Sequence, residues 1–247
     1  MLATLRHTLQ VLAARLRAGI PCCCALCGCS GATVLCLPCR LRYLAPPAPR
    51  CRQCAMLLPA GAGGASVCGN CLRRPPAFDA TVVVTDYEAP LDLLVQELKF
   101  GGQLALAPLF GDLLAQAMRQ LPRAAWPSVL APVPLGQRRL TERGFNQALE
   151  IGRALARGLG LPLQARLLER CRDTAPQTLL APGERRANLR LAFRVPPASL
   201  DSVSGQHIGI IDDVITTGVT LDEIAATLKR AGASRVTCLA FARTPRR

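Results

Sequence analysis

Asp212 and Asp213 stand at the end of an apolar run, His207 to Ile211, and are followed by Val-Ile-Thr-Thr-Gly-Val-Thr to position 220. Adjacent carboxylates accept hydrogen bonds from vicinal hydroxyls, as an acidic residue does on the ribose of a dinucleotide. The hydroxyls of Thr216, Thr217 and Thr220, with the small backbone at Gly218 and Val219, suit a phosphate. At a helix start the N–H groups are free, and the helix dipole favours an anion. One turn can thus hold sugar hydroxyls at one end and a 5′-phosphate at the other. The run is not a nucleotide-triphosphate loop, because no Gly-Lys-Ser/Thr follows.

A strand, a turn and a helix must position these groups. Leu221, Ile224, Ala225 and Leu228 keep 3.6-residue spacing into Lys229-Arg230, and Gly232 stops the helix. In an open α/β sheet, ligands bind outside the carboxyl ends of the strands, where this turn lies.

A second constellation is made of cysteines. Eleven of the thirteen lie between Cys22 and Cys71, and four pairs have two-residue spacing: Cys24/Cys27, Cys36/Cys39, Cys51/Cys54 and Cys68/Cys71. Each pair offers two thiolates to a tetrahedral Zn²⁺, and two pairs complete a structural site, so about two Zn²⁺ are expected. Sequential and interleaved groupings are both compatible with the spacing. Cys22, Cys23 and Cys29 are spare and blur the register of the first pair. Disulfides would need an oxidising compartment, and the chain shows no export signal.

The other candidate groups are cations. Pro90 to Phe100 reads as a helix with Leu91, Leu94, Val95 and Leu98 on one face, ending in Lys99-Phe100-Gly101-Gly102. There Lys99 can sit over a phosphate or simply cap the helix. A strand over 128–134 runs into a loop with Arg138, Arg139 and Arg143, then Gly144-Phe145-Asn146-Gln147 and a helix over 148–159. Three arginines on a mobile loop can close over pyrophosphate. Further strands are expected over 80–85, 161–168 and 235–242, and another helix over 104–121. The alternation predicts an α/β fold with a mainly parallel sheet.

Composition narrows the function. The formal charge is +14, only Lys99 and Lys229 are lysines, and no acid precedes Asp79. Two Zn²⁺ sites with four thiolates each would lower the charge to roughly +10, still attractive to nucleic acid or a polyphosphate. One Trp and two Tyr argue against a large base-stacking surface. No apolar run is long enough for a transmembrane helix. Leu2, Leu5, Leu9, Leu12 and Leu16 make residues 1–20 an amphipathic helix, expected to pack on the protein's own body; a membrane surface is the alternative.

The Asp-Asp-Val-Ile-Thr-Thr-Gly run resembles the PRPP-binding motif of type I phosphoribosyltransferases. With Pro132-Val133-Pro134-Leu135, Arg138-Arg139-Leu140, Arg143-Gly144-Phe145-Asn146-Gln147, Gln177, Arg185, Asn188 and the Cys-rich front, the chain resembles the ComF/GntX family of phosphoribosyltransferase-like proteins. The resemblance implies a type I phosphoribosyltransferase-like domain over 75–247, preceded by a double zinc ribbon over 21–74. It implies a role in competence, the uptake or use of external DNA. Asp212 and Asp213 would take the ribose, and Thr216, Thr217, Gly218, Val219 and Thr220 the 5′-phosphate. Arg138, Arg139 and Arg143 would form the mobile loop, and Lys99 would meet Mg²⁺-pyrophosphate. Two activities stay open: pyrophosphate-releasing transfer to an unknown acceptor, with the acids and the three arginines as catalytic groups, or noncatalytic binding of PRPP or single-stranded DNA. A DNA-uptake helicase or membrane transport proteins are the expected partners, and the cytoplasm, with or without membrane association, the expected location.

Overall fold

The computed structural model describes residues 22–44, 48–59, 66–171 and 192–245. The expected N-terminal helix, the Gly/Ala stretch 60–65, and Gln177, Arg185 and Asn188 lie outside them. By contacts the chain forms two compact units, Met1–Ala45 and Pro46–Arg247. The boundary falls between the two cysteine quartets, so the second quartet shares a unit with the α/β domain.

In the first unit, β1 (Cys22–Cys23) pairs antiparallel with β2 (Ser30–Gly31), and α1 (Leu37–Tyr43) follows. Pro38 stands in the first turn of α1, where its missing N–H costs nothing.

The second unit opens with the second quartet and α2 (Gly69–Arg73). Its centre is a four-stranded parallel sheet in the order β3 (Ala80–Asp86), β8 (Arg235–Arg243), β7 (His207–Ile215), β4 (Val129–Pro132). The register pairs Asp212 with Ala240 and Ile215 with Arg243, so β7 and β8 end level. The chain between the strands forms α3 (Leu91–Lys99), α4 (Leu106–Arg119), α5 (Gln137–Arg143), α6 (Gln147–Leu159) and α7 (Val219–Arg230). A short antiparallel pair, β5 (Glu169–Arg170) with β6 (Phe193–Arg194), completes the described elements.

Alternate strand residues face opposite layers. Ile208, Ile210, Val236, Cys238 and Ala240 pack with Ile224 and Leu228 of α7. On the other face Phe241 stacks on Phe110 of α4, with centroids 3.7 Å apart and ring planes within 4°. Helices α4 and α6 approach closely there: a Cβ on Gly111 would lie 2.6 Å from the Ala154 Cβ. Both layers hold the sheet so that the carboxyl ends of β4 and β7 open side by side.

Two expectations need correction. The arginine segment is helical over Gln137–Arg143, not a loop. Its reasons are local: an Arg138–Glu142 pair one turn apart at 2.8 Å, and Gly144 in the left-handed region, whose N–H caps the Leu140 carbonyl. Residues 161–168 do not form a strand. Leu163 makes only an isolated bridge to Leu130, and regular pairing starts at Glu169. The apolar residues Leu167 and Leu168 are buried by the core rather than by a ladder.

Candidate functional site

The apolar strand β7 carries Asp212 and Asp213 to the sheet's end. Asp213 is 2% exposed and forms an ion pair with Lys99 Nζ at 2.7 Å. The last turn of α3 supplies that lysine, so two segments meet across the sheet top. The carboxylates are also held by the backbone: the Asp213 N–H donates to Asp212 Oδ1 at 2.9 Å, and the Val214 N–H to Asp213 Oδ1 at 3.0 Å. Burial, and then the Asp213 carboxylate beside it, push the Asp212 carboxyl well above the usual carboxylate range. Of the two acids, Asp213 is the ion-paired one, and burial disfavours the charged form of Asp212.

These residues line a cleft of about 640 Å³. Lys99, Asp212, Asp213, Arg139, Arg143, Thr216 and Thr220 all reach it, as do Phe100, Phe145, Glu142 and Arg170. Arg143 donates to the Gln147 side chain at 2.6 Å and lies 5.3 Å over the exposed Phe100 ring. Burial lowers the affinity of its guanidinium for a proton, and the nearby Asp213 opposes that shift. Asn146 caps α6, accepting from the Ala148 and Leu149 N–H groups while its amide donates to the Val133 carbonyl at 3.0 Å. This fixes the chain between the arginine helix and α6 against the end of β4.

The turn after β7 divides its residues between two hollows. Thr216 and Thr220 line the large cleft. Thr217, Gly218 and Val219 line a smaller recess of about 70 Å³, bounded by Cys54, Asn70, Cys71 and Arg74. Gly218 has φ +83°, a left-handed conformation with no backbone atom crowding its Cβ position, so conformation is what demands glycine there. Arg138 is outside the lining of either hollow; its side chain is 80% exposed and paired with Glu142.

The cysteines assemble sequentially rather than interleaved. Cys24, Cys27, Cys36 and Cys39 form one group, and Cys51, Cys54, Cys68 and Cys71 the other, with the ligand atoms of each within 4.8 Å of one another. Cys27 and Cys36 sulfurs lie 3.7 Å apart, Cys54 and Cys68 sulfurs 3.6 Å. A tetrahedral Zn²⁺ with ~2.3 Å bonds needs sulfurs about 3.8 Å apart, so both groups fit. Backbone N–H groups point at the sulfurs, as in Cys36 N to Cys24 Sγ at 3.4 Å and Cys68 N to Cys51 Sγ at 3.3 Å. Against the upward push of burial, such bonds pull Cys24 down to about 6 and Cys51 to about 7. Burial pushes Cys39 and Cys71 far up. Such close-packed sulfurs, with thiolates among them, are suited to a cation.

One residue escaped the sequence reading. Arg243, at the end of β8, is 3% exposed. Its Nε donates to the Cys54 carbonyl at 3.1 Å, and its Nη1 to the carbonyls of Ile215, at 2.9 Å, and Thr216. A lone cation closing an apolar strand was the available signal.

Residues 146–247 match the phosphoribosyl transferase domain family. The chain is 40% identical over 197 residues to DNA utilization protein YhgH of Salmonella typhi, covering 78% of this chain and 84% of that protein. It is 35% identical over 179 residues to competence protein F of Haemophilus influenzae, covering 71% of this chain and 78% of that protein. Among solved structures, glutamine phosphoribosylpyrophosphate amidotransferase from B. subtilis is 22% identical over 54% of this chain and 25% of that chain, with a TM-score of 0.34.

Proposed function

The chain belongs to the ComF/GntX family of phosphoribosyltransferase-like proteins, and on that premise we propose that its cleft binds PRPP in the service of DNA uptake or use. The observation that carries the reading is the convergence of Lys99, Asp212, Asp213, Arg139, Arg143, Thr216 and Thr220 on one cleft at the carboxyl end of a parallel sheet. Asp212 and Asp213 accept hydrogen bonds from the ribose hydroxyls. The turn from Thr216 to Thr220 takes the 5′-phosphate through backbone N–H groups and hydroxyls. Lys99 and the arginines meet the pyrophosphate, with Arg138 as the outermost. Mg²⁺ arriving with PRPP supplies further charge on the leaving pyrophosphate.

Transfer to an acceptor would displace pyrophosphate from C1 of the ribose. Positive charge then builds on the ring, and the two carboxylates are placed to stabilise it. Lys99 has two anionic partners to choose between. In the structure it neutralises Asp213; with ligand bound, its charge can shift toward pyrophosphate while the ribose hydroxyls satisfy the acid. Pyrophosphate release distinguishes transfer from binding alone.

The link to DNA rests on the names of the relatives, DNA utilization protein and competence protein F, and on the charge of +14. Residues 21–74, holding Zn²⁺ in both quartets, are the part we assign to docking on a DNA-uptake helicase or membrane transport partners. No described helix is long and apolar enough to cross a membrane. We assign the protein to the cytoplasm, with or without membrane association.

Calorimetric titration of Mg²⁺–PRPP into the protein and its Asp213→Asn variant tests the site. The wild type should bind, and the variant should bind about 100-fold more weakly, having exchanged a charged acceptor for a neutral one. Equal affinities would remove the acid pair from the site.

A further inference from the structure

We propose that Arg243 is a positioning residue that couples the second cysteine quartet to the anion-binding turn, so that the quartet's Cys51–Cys54 knuckle sets the shape of the turn. The inference rests on the phosphate reading of Thr216 to Thr220 given above.

The coupling is a three-way junction. A guanidinium that is 3% exposed must have its donors satisfied inside the protein. Its acceptors include the carbonyl of Cys54 on one side and those of Ile215 and Thr216 on the other, with the Thr244 carbonyl at 3.5 Å. Cys54 belongs to the quartet, and its place is set by the knuckle, where the Ala55 N–H closes back on the Cys51 carbonyl at 2.8 Å. Ile215 and Thr216 lead directly into the turn. Relaxation of the knuckle withdraws one acceptor from Arg243. The guanidinium must then shift, and with it the two peptide planes that carry the N–H groups of Thr216 and Thr217, where the turn begins.

A second bond runs parallel to the first. The Ala77 N–H, just beyond the quartet, donates to Asp222 Oδ1 at 2.7 Å. Asp222 stands in the first turn of α7, so both ends of the anion-binding turn are tied to the same side of the molecule. The small recess between them is lined by Cys54 and Cys71 from the quartet and by Thr217, Gly218 and Val219 from the turn. The quartet is thus the wall against which the turn is built, and Arg243 is the bolt.

The test compares the zinc-loaded full chain with Arg243→Met and Arg243→Lys. Three readings are taken: metal per chain, amide hydrogen exchange across Ile215 to Leu221, and affinity for Mg²⁺–PRPP. Arg243→Met should keep its full metal complement while its turn amides exchange about tenfold faster and PRPP affinity falls about tenfold, the scale of losing hydrogen bonds to a charged donor. Arg243→Lys, which keeps the charge but reaches fewer carbonyls, should recover part of both losses. Unchanged exchange in the turn in both variants overturns the proposal. If Arg243→Met does not fold, Arg243→Lys decides by the same exchange reading. Should the wild type take up no PRPP, the proposed function fails, and faster exchange in the variants still supports the junction.

Discussion

The two cysteine quartets have the same two-residue spacing within each pair and nearly the same sulfur geometry, yet they are built into the molecule differently. The first belongs to a small unit of its own. The bonds described around it run among neighbours: Cys24 N to the Cys29 carbonyl, Ala25 N to Val34, Gly28 N to Cys24. The second is knit into the sheet. Arg50 grips Asp86 of β3 with two bonds, at 2.9 and 2.8 Å. Thr81 of β3 donates its N–H to the Arg52 carbonyl at 3.0 Å and its hydroxyl to the Gln53 carbonyl at 2.5 Å. Arg243 reaches Cys54. One ligand set therefore serves two purposes. In the first unit a bound metal would substitute for a core that so short a segment cannot build. In the second it would brace an edge of a domain that already has one.

The largest expected effect separates the quartets directly. Cys27→Ser and Cys71→Ser should each lose one equivalent of metal. Only Cys71→Ser should lower the melting temperature of the α/β unit, by about 10 °C, since metal-binding free energy is folding free energy where the site is part of the fold. Calorimetry with metal analysis checks this, and equal melting of the two variants would erase the distinction. A smaller effect should come from the seam itself. Asp86→Asn removes one charge from the bidentate pair with Arg50, both partners being largely buried. It should cost about 2 kcal/mol in chemical denaturation and speed loss of the second metal but not the first.

The smallest effect is a pH signature carried by the α/β unit. Burial and Asp213 raise the Asp212 carboxyl above its ordinary 3.8. Above pH 3.8 the unfolded chain releases a proton that the folded chain retains, so the stability this group contributes falls as pH rises through the folded value. Lys99 and Arg143 are the cations that face the pair and limit the shift. Asp212→Asn should therefore melt higher than the wild type near neutral pH, with the difference vanishing below about pH 3.8. A difference that stays constant with pH would mean that Asp212 binds its proton equally in the folded and unfolded chains, with no upward shift on folding.

Much of this arrangement was legible before the structure. The carboxylates, the turn and helix α7 were marked by residue types local to one stretch, and local signals survive folding. The parallel sheet followed from the alternation of strands and helices. The grouping of the cysteines was not legible, because identical spacing permits either grouping and only three-dimensional proximity selects one. Helix α5 was hidden by its arginines: a row of cations reads as a loop until Glu142 is seen one turn from Arg138. Leu161 to Leu168 was hidden for the opposite reason, since an apolar run can be buried without joining a sheet. Arg243 was the hardest to find, because its acceptors are backbone carbonyls as far as 189 positions away, which no side-chain pattern reveals.

The level ends of β7 and β8 have a further consequence, one of parity. The side chains of a strand alternate, so Asp212 and Asp213 point to opposite layers, and Arg243 to whichever its position dictates. If β7 slipped by a single residue against β8, every one of these choices would invert at once. The ion-paired acid would exchange places with its neighbour, and the row of isoleucines would be turned against the wrong helices. The ladder from His207 with Arg235 to Ile215 with Arg243 is thus an odd-even lock on the chemistry of the site. It allows displacements of two residues or none, and the packed isoleucines leave only none.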